Sequence, residues 1–142
     1  MMKKIIFVFM LISISIFAFA CSSGSNNPAN SGKTVKTATV NNLTVTLATE
    51  SGVIKNGAND FTLTFADASG KPVDVGAASV NFFMPSMGSM AAMNNSATLT
   101  TSGTPGVYNG KVKIEMPGEW QAQIAFEGAA GNGKTSIPVT AQ

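Results

Sequence analysis

From residue 35 onward, apolar and polar side chains alternate with a period of two, and turn-forming residues recur every eight to twelve positions. The run Phe61, Leu63 and Phe65 shows this pattern clearly. Alternation places successive side chains on opposite faces of a strand, whereas an amphipathic helix needs a period near 3.6. Short strands at this spacing are typical of two packed antiparallel sheets. The sequence therefore predicts an all-β fold, an immunoglobulin-like β-sandwich of about seven short antiparallel strands.

The clearest pair of predicted strands surrounds the Pro-Gly step at Pro117. Residues 112–116 alternate before this turn and residues 120–126 alternate after it. Two alternating runs joined by a short turn are typical of a β-hairpin, so a hairpin is predicted here. Pro138 lies within the last predicted strand, and proline cannot donate a hydrogen bond to a neighbouring strand. The last strand is therefore predicted at the edge of a sheet.

The N-terminus has the layout of a lipoprotein signal peptide, which we place at residues 1–20. Lys3 and Lys4 precede an apolar stretch at residues 5–20, which is short for a membrane-spanning helix. Cys21, the only cysteine of the chain, follows directly and is the predicted lipidation site. Acyl chains on this residue would anchor the protein in a bilayer. We expect the outer membrane facing the periplasm in a Gram-negative cell, or the outer face of the plasma membrane in a Gram-positive cell.

The remaining chain divides into a tether and a domain. Residues 21–35 are rich in Ser, Asn and Gly, which predicts the lipidated cysteine followed by a flexible tether. Residues 36–142 form the predicted β-sandwich domain. After residue 20 the chain carries seven lysines and seven acidic residues, so no basic surface for nucleic acid is indicated. The chain also lacks histidine, and no nucleophile with a matching base is recognisable. We therefore expect a protein that is not an enzyme.

Methionines are concentrated in one segment of the domain. Met84, Met87, Met90 and Met93 recur at every third position. Thioether sulfur is a soft ligand that needs no deprotonation, so it favours Cu(I) or Ag(I) over harder metal ions. Pro85 indicates a loop or short turn, in which a 3₁₀ conformation would bring the sulfurs to one face. These residues are the predicted copper ligands.

A second interpretation of the same residues is packing or protein contact. Methionines fill irregular cores and form adaptable docking surfaces. The alternation at residues 80–84 would place Met84 in the core, so Met87 and Met90 are the first candidates for ligands and Met93 follows. Met116 and Trp120 flank the Pro-Gly turn. Both occupy positions that the alternation assigns to the inward face of their strands, which favours packing. The functional alternative makes Met116 a further thioether ligand and Trp120 a cation–π lid over a bound ion.

Residues 128–135 match the phosphate-loop pattern G-x-x-x-x-G-K-[ST] letter for letter. That pattern cradles phosphates only between a strand and a helix of an α/β domain. Here only seven residues follow Thr135, and Pro138 lies among them. We therefore predict a glycine-rich hairpin loop between the last two strands and no nucleotide binding.

Three segments together resemble the YtkA-like family, namely residues 82–90 (FFMPSMGSM), 106–110 (GVYNG) and 115–120 (EMPGEW). The resemblance extends over residues 37–141, and the family is itself similar to FixH-like proteins and to a domain of some heavy-metal efflux adaptors. It implies a small immunoglobulin-like sandwich, often membrane-tethered, that is associated with copper handling. Carried over to this chain, it implies Met84, Met87, Met90, Met116 and Trp120 as site residues.

Two hypotheses on function follow. In the first, a lipid-anchored protein of the cell envelope binds Cu(I) through the methionine loop, and buffers it or passes it to a copper efflux or cuproenzyme-assembly partner. The absence of histidine narrows the proposed cargo to Cu(I) or Ag(I). In the second, the methionine loop holds no metal and docks on a subunit of a membrane complex or efflux system.

Overall fold

The computed structural model describes residues 32–142, and the predicted signal peptide, Cys21 and the predicted tether up to residue 31 lie outside them. Nine strands make up the described part: β1 (Lys33–Val40), β2 (Leu43–Thr49), β3 (Gly57–Ala66), β4 (Ala77–Met84), β5 (Met93–Ser96), β6 (Thr98–Thr101), β7 (Val107–Ile114), β8 (Gly118–Gly128) and β9 (Gly131–Ala141). β1 begins three residues before the predicted domain boundary. In this range no helix is long and apolar enough to cross a membrane.

The strands form two antiparallel sheets that enclose one core. One sheet has the order β1-β2-β3-β7-β6 and the other has the order β5-β4-β8-β9. The predicted all-β sandwich is confirmed, although nine strands replace the expected seven. The orders β2-β3-β7-β6 and β4-β8-β9 match those of the two sheets in a constant-type immunoglobulin domain. The immunoglobulin-like label itself stays a prediction.

The core consists of the inward-facing residues of both sheets, as the alternation predicts. Trp120, Phe65, Phe82 and Leu47 are among the largest fully buried side chains. The Phe65 ring meets the rings of Tyr108 and Phe126 edge-on, with centroids 5.9 and 5.2 Å apart. Edge-to-face pairs add to the stabilisation that burial of apolar area provides. This aromatic contact joins the two sheets, because β3 and β7 belong to one sheet and β8 to the other.

The predicted hairpin at the Pro-Gly turn is wrong. β7 pairs with β3 and β6, whereas β8 pairs with β4 and β9 in the opposite sheet. The turn at Pro117 therefore carries the chain from one sheet to the other. Alternation looks the same in both arrangements, because the inward faces of stacked sheets are apolar whichever strands are neighbours. The turn lies at one end of the sandwich, next to the last residue of β4.

The last two strands agree with their prediction. β8 and β9 form a hairpin that closes at the pair Gly128 and Gly131, and the remainder of the phosphate-loop pattern lies in strand β9. The conformation is therefore strand, turn and strand. Pro138 lies on β9 and pairs with Gln121 of β8. β9 is an edge strand of its sheet, as predicted. The proline sits where no further strand needs its missing N–H group.

Candidate functional site

The methionine-rich segment is a β-hairpin that continues from strands β4 and β5. Met84, at the end of β4, pairs with Met93, at the start of β5. Beyond this pair, Met87 and Met90 form an isolated antiparallel bridge. We call residues 84–93 the methionine hairpin. The expected short turn is present at residues 88–89, but Met87 and Met90 come together by pairing across it and not through a 3₁₀ turn.

A two-residue turn closes the methionine hairpin. The N–H of Met87 donates to the carbonyl of Met90 at 3.1 Å, and the N–H of Met90 donates to the carbonyl of Met87 at 2.9 Å. Gly88 and Ser89 are the central residues, and Gly88 takes a positive φ of 56°. Glycine at this position is typical of the tight turns that join hairpin strands. Gly-Ser between two methionines was therefore the sequence signal that should have indicated a hairpin.

The reciprocal bonds place the two tip methionines side by side. Residues that exchange both backbone hydrogen bonds lie opposite each other, with Cα atoms roughly 5.5 Å apart, and their side chains project from the same face. Side chains three residues apart on one strand point to opposite faces. When a two-residue turn separates them, the same two residues become cross-strand neighbours. Hairpin pairing therefore brings Met87 and Met90 together. We call these two residues and the Gly-Ser turn between them the methionine tip.

Exposure separates the candidate ligands into two groups. Met87 is 52% exposed and Met90 is 39% exposed, while Met84 is only 2% exposed. Met93 and Met116 are half-buried and pack against the core. Met84 thus lies in the core, as the alternation of residues 80–84 predicts. The methionine tip is the part of the candidate ligand set that is open to a dissolved ion.

The other end of the candidate set lies at the Pro-Gly turn. A Cβ atom on Gly118 would approach Met84 Cε to 3.0 Å, so the methyl group of Met84 rests against this turn. Trp120 is 1% exposed, and its indole N–H donates to the carbonyl of Met116 at 3.1 Å. A buried ring with a satisfied N–H has the features of a packing residue. This placement favours the packing interpretation of Trp120 over the cation–π lid.

The chemical environment of the methionine tip is soft and uncharged. Residues 85–92 (PSMGSMAA) carry no ionisable side chain. Within residues 32–142, no group of three or more His, Cys, Asp or Glu residues could hold a metal ion. An ion at the tip would therefore meet thioether sulfur, which selects monovalent soft ions.

Two titratable groups in the described part of the chain have shifted pKa values, and both lie away from the methionine hairpin. The hydroxyl of Ser69 donates to the Asp67 carboxylate and lowers the pKa of Asp67. Burial raises the pKa of Tyr108, and the negative charge of Asp74 adds to this effect. The Tyr108 hydroxyl donates to the carbonyl of Gly76 at 2.6 Å. These contacts stabilise turns of the sandwich.

Oxidation should distinguish the tip from the core. Under dilute hydrogen peroxide we expect Met87 and Met90 to become sulfoxides on the order of tenfold faster than Met84, because peroxide must reach the sulfur. Peptide mass spectrometry over a time course measures each site, and the same digest of denatured protein provides the control. Equal rates at Met84 and Met87 in the folded protein would contradict the burial described above.

One comparison with known proteins identifies the family. The family model described as YtkA-like matches residues 37–125, well over half of the chain. The match contains the whole methionine hairpin, Met116 and Trp120. No curated protein and no solved structure matches the sequence significantly. The protein therefore belongs to the YtkA-like family.

Proposed function

We propose that this protein is a lipid-anchored extracytoplasmic protein that binds Cu(I) or Ag(I) at the methionine tip. Met87 and Met90 are the primary ligands, and Met93 is the next candidate ligand. Met84 lies in the core at the base of the hairpin, and Met116 packs against the core at the Pro-Gly turn. The protein carries the ion without transforming it, so its role is buffering, transfer or resistance.

The observation that supports this proposal most directly is the exposed pair of thioethers. Met87 and Met90 are the exposed large hydrophobic residues of the described chain. A tip made for packing would bury its apolar side chains, since exposed apolar groups gain nothing from water. The hydrogen-bonded turn fixes both backbones before an ion arrives, which reduces the entropic cost of binding.

Weak ligation by neutral sulfur suits delivery. Thioethers stay unprotonated at every physiological pH and do not form disulfides in an oxidising compartment. An ion on an exposed hairpin is accessible to a copper efflux or cuproenzyme-assembly partner. Acylation at Cys21 would hold the domain at the membrane, where such a partner works.

An anaerobic Cu(I) titration against a chromogenic chelator tests the proposal. The full chain carries a Cys21→Ser substitution, because the only thiol of the chain would otherwise compete for the ion. For the double variant Met87→Leu/Met90→Leu, we expect the apparent affinity to fall on the order of tenfold or more, since leucine keeps the volume but lacks sulfur. Circular dichroism checks that the sandwich is retained.

The matched control is Met116→Leu, which makes the same chemical change at the Pro-Gly turn. We expect this variant to bind Cu(I) nearly as well as the parent chain. If the double variant binds as tightly as the parent, the copper proposal fails. The exposed tip then remains as an apolar contact for a subunit of a membrane complex or efflux system, the alternative function that leucine would preserve.

A further inference from the structure

The methionine tip of a single chain offers an incomplete set of ligands. Met87 and Met90 project from one face of the turn, and they supply two sulfurs. Cu(I) and Ag(I) accept two to four soft donors, and a neutral thioether is a weaker donor than a thiolate, so two thioethers hold the ion less firmly than a set of three or four. This inference rests on the proposed function and concerns the donors that complete its site.

Packing against the core keeps the remaining sulfurs of the described domain away from the tip. Met84 is 2% exposed, and its methyl group contacts the Pro-Gly turn. Met93 is the cross-strand partner of Met84 and packs against the core. Met116 packs against the core at the other side of that turn. Releasing any of these sulfurs would uncover apolar surface, which is unfavourable.

We propose that a second copy of this chain completes the site, so that one ion joins two methionine tips through four thioethers. The chemistry of the tip allows two copies to meet face to face. Residues 85–92 carry no charge, so like-charge repulsion does not oppose the approach. Apart from the methionines and Pro85, this segment contains only Gly, Ser and Ala, which let two backbones come close.

The ion is required for this assembly. A stable protein interface buries about 1,200–2,000 Å² in total, and two short turns with two methionines each fall well short of that area. Apolar contact between tips therefore does not hold a dimer by itself. With the ion present, each chain gains two bonds to metal, and the equilibrium shifts toward the dimer by mass action.

Silver provides the probe for this inference, because Ag(I) matches Cu(I) in softness and is stable in air. The full chain with Cys21→Ser is titrated with silver nitrate in detergent, and calorimetry gives the stoichiometry. We expect an inflection at one ion for every two chains. Native mass spectrometry should then show two chains with one ion, and the dimer should dissociate when a silver chelator is added.

Two variants complete the test. Met87→Leu/Met90→Leu should give no silver-dependent dimer, whereas Met116→Leu should behave like the parent chain. One ion on each monomer, lost in the tip variant, would overturn the second copy as partner and leave the proposed function intact. Equal silver binding by the tip variant and the parent would overturn both. A dimer that forms without silver would overturn the requirement for an ion.

Discussion

Replacement of Trp120 by alanine is expected to lower the free energy of unfolding by about 3–5 kcal/mol, the range for removal of a large buried aromatic side chain. Trp120 is 1% exposed and lies on the inward face of β8. The substitution leaves a cavity in the core and frees the carbonyl of Met116, which accepts the indole N–H at 3.1 Å. For a domain of this size the melting temperature should fall by roughly 10–20 °C.

Thermal unfolding followed by circular dichroism measures this loss. Trp120→Phe keeps most of the ring volume but loses the N–H donor, so we expect it to lose much less stability, about 1–2 kcal/mol. The control Gln123→Ala changes an exposed residue of the same strand and should stay within roughly 0.5 kcal/mol of the parent. If Trp120→Ala unfolds like the parent chain, the ring does not hold the core together, and a role at the ion must be reconsidered.

Replacement of Gly106 by alanine is expected to cost about 2–4 kcal/mol, because two unfavourable effects add. Gly106 has a positive φ of 79°, a conformation that costs other residues about 1–2 kcal/mol. A Cβ atom there would also lie 2.3 Å from the carbonyl oxygen of Val73. The same stretch holds the hydrogen bond from the N–H of Phe65 to the carbonyl of Gly106 at 2.8 Å. The N–H of Val73 donates to the carbonyl of Phe65 at 2.8 Å, so separating Gly106 from Val73 would strain one of these two hydrogen bonds.

Gly103→Ala is the matched control for this prediction. Gly103 lies in the same loop with a positive φ of 88°, but a Cβ atom there would meet nothing within 4 Å. The Gly103→Ala variant should lose only the conformational part of the stability, about 1–2 kcal/mol. Urea unfolding followed by the fluorescence of the single tryptophan measures both variants. Equal losses for the two variants would show that the close approach to Val73 contributes nothing.

These two predictions also explain two of the segments through which the chain resembles its family. Residues 106–110 need glycine where the loop passes against Val73, and their Tyr108 hydroxyl fastens the neighbouring turn at Gly76. In residues 115–120, Met116 supplies the carbonyl that satisfies the buried indole. Both segments therefore maintain the sandwich. The methionine hairpin differs from them, because its tip methionines are exposed and contribute little to packing.

Much of the fold could be predicted from local pattern. The period of two indicated an all-β chain, the parity of residues 80–84 placed Met84 in the core, and Pro138 indicated an edge strand. β5 was not anticipated, because its four residues, Met-Asn-Asn-Ser, include only one large apolar side chain. Its existence depends on pairing with β4 through the methionine hairpin.

The amino-acid sequence by itself determined which face of the predicted strands carries the large core side chains, because burial of apolar side chains follows directly from their spacing. It also determined that the domain offers soft sulfur and no imidazole to a metal ion. Only the tertiary structure decided which strands are neighbours: β7 and β8 went to opposite sheets, and Met87 came to lie beside Met90. Alternation is a property of one strand, whereas pairing depends on how distant segments share one core and on the turns that bring them there.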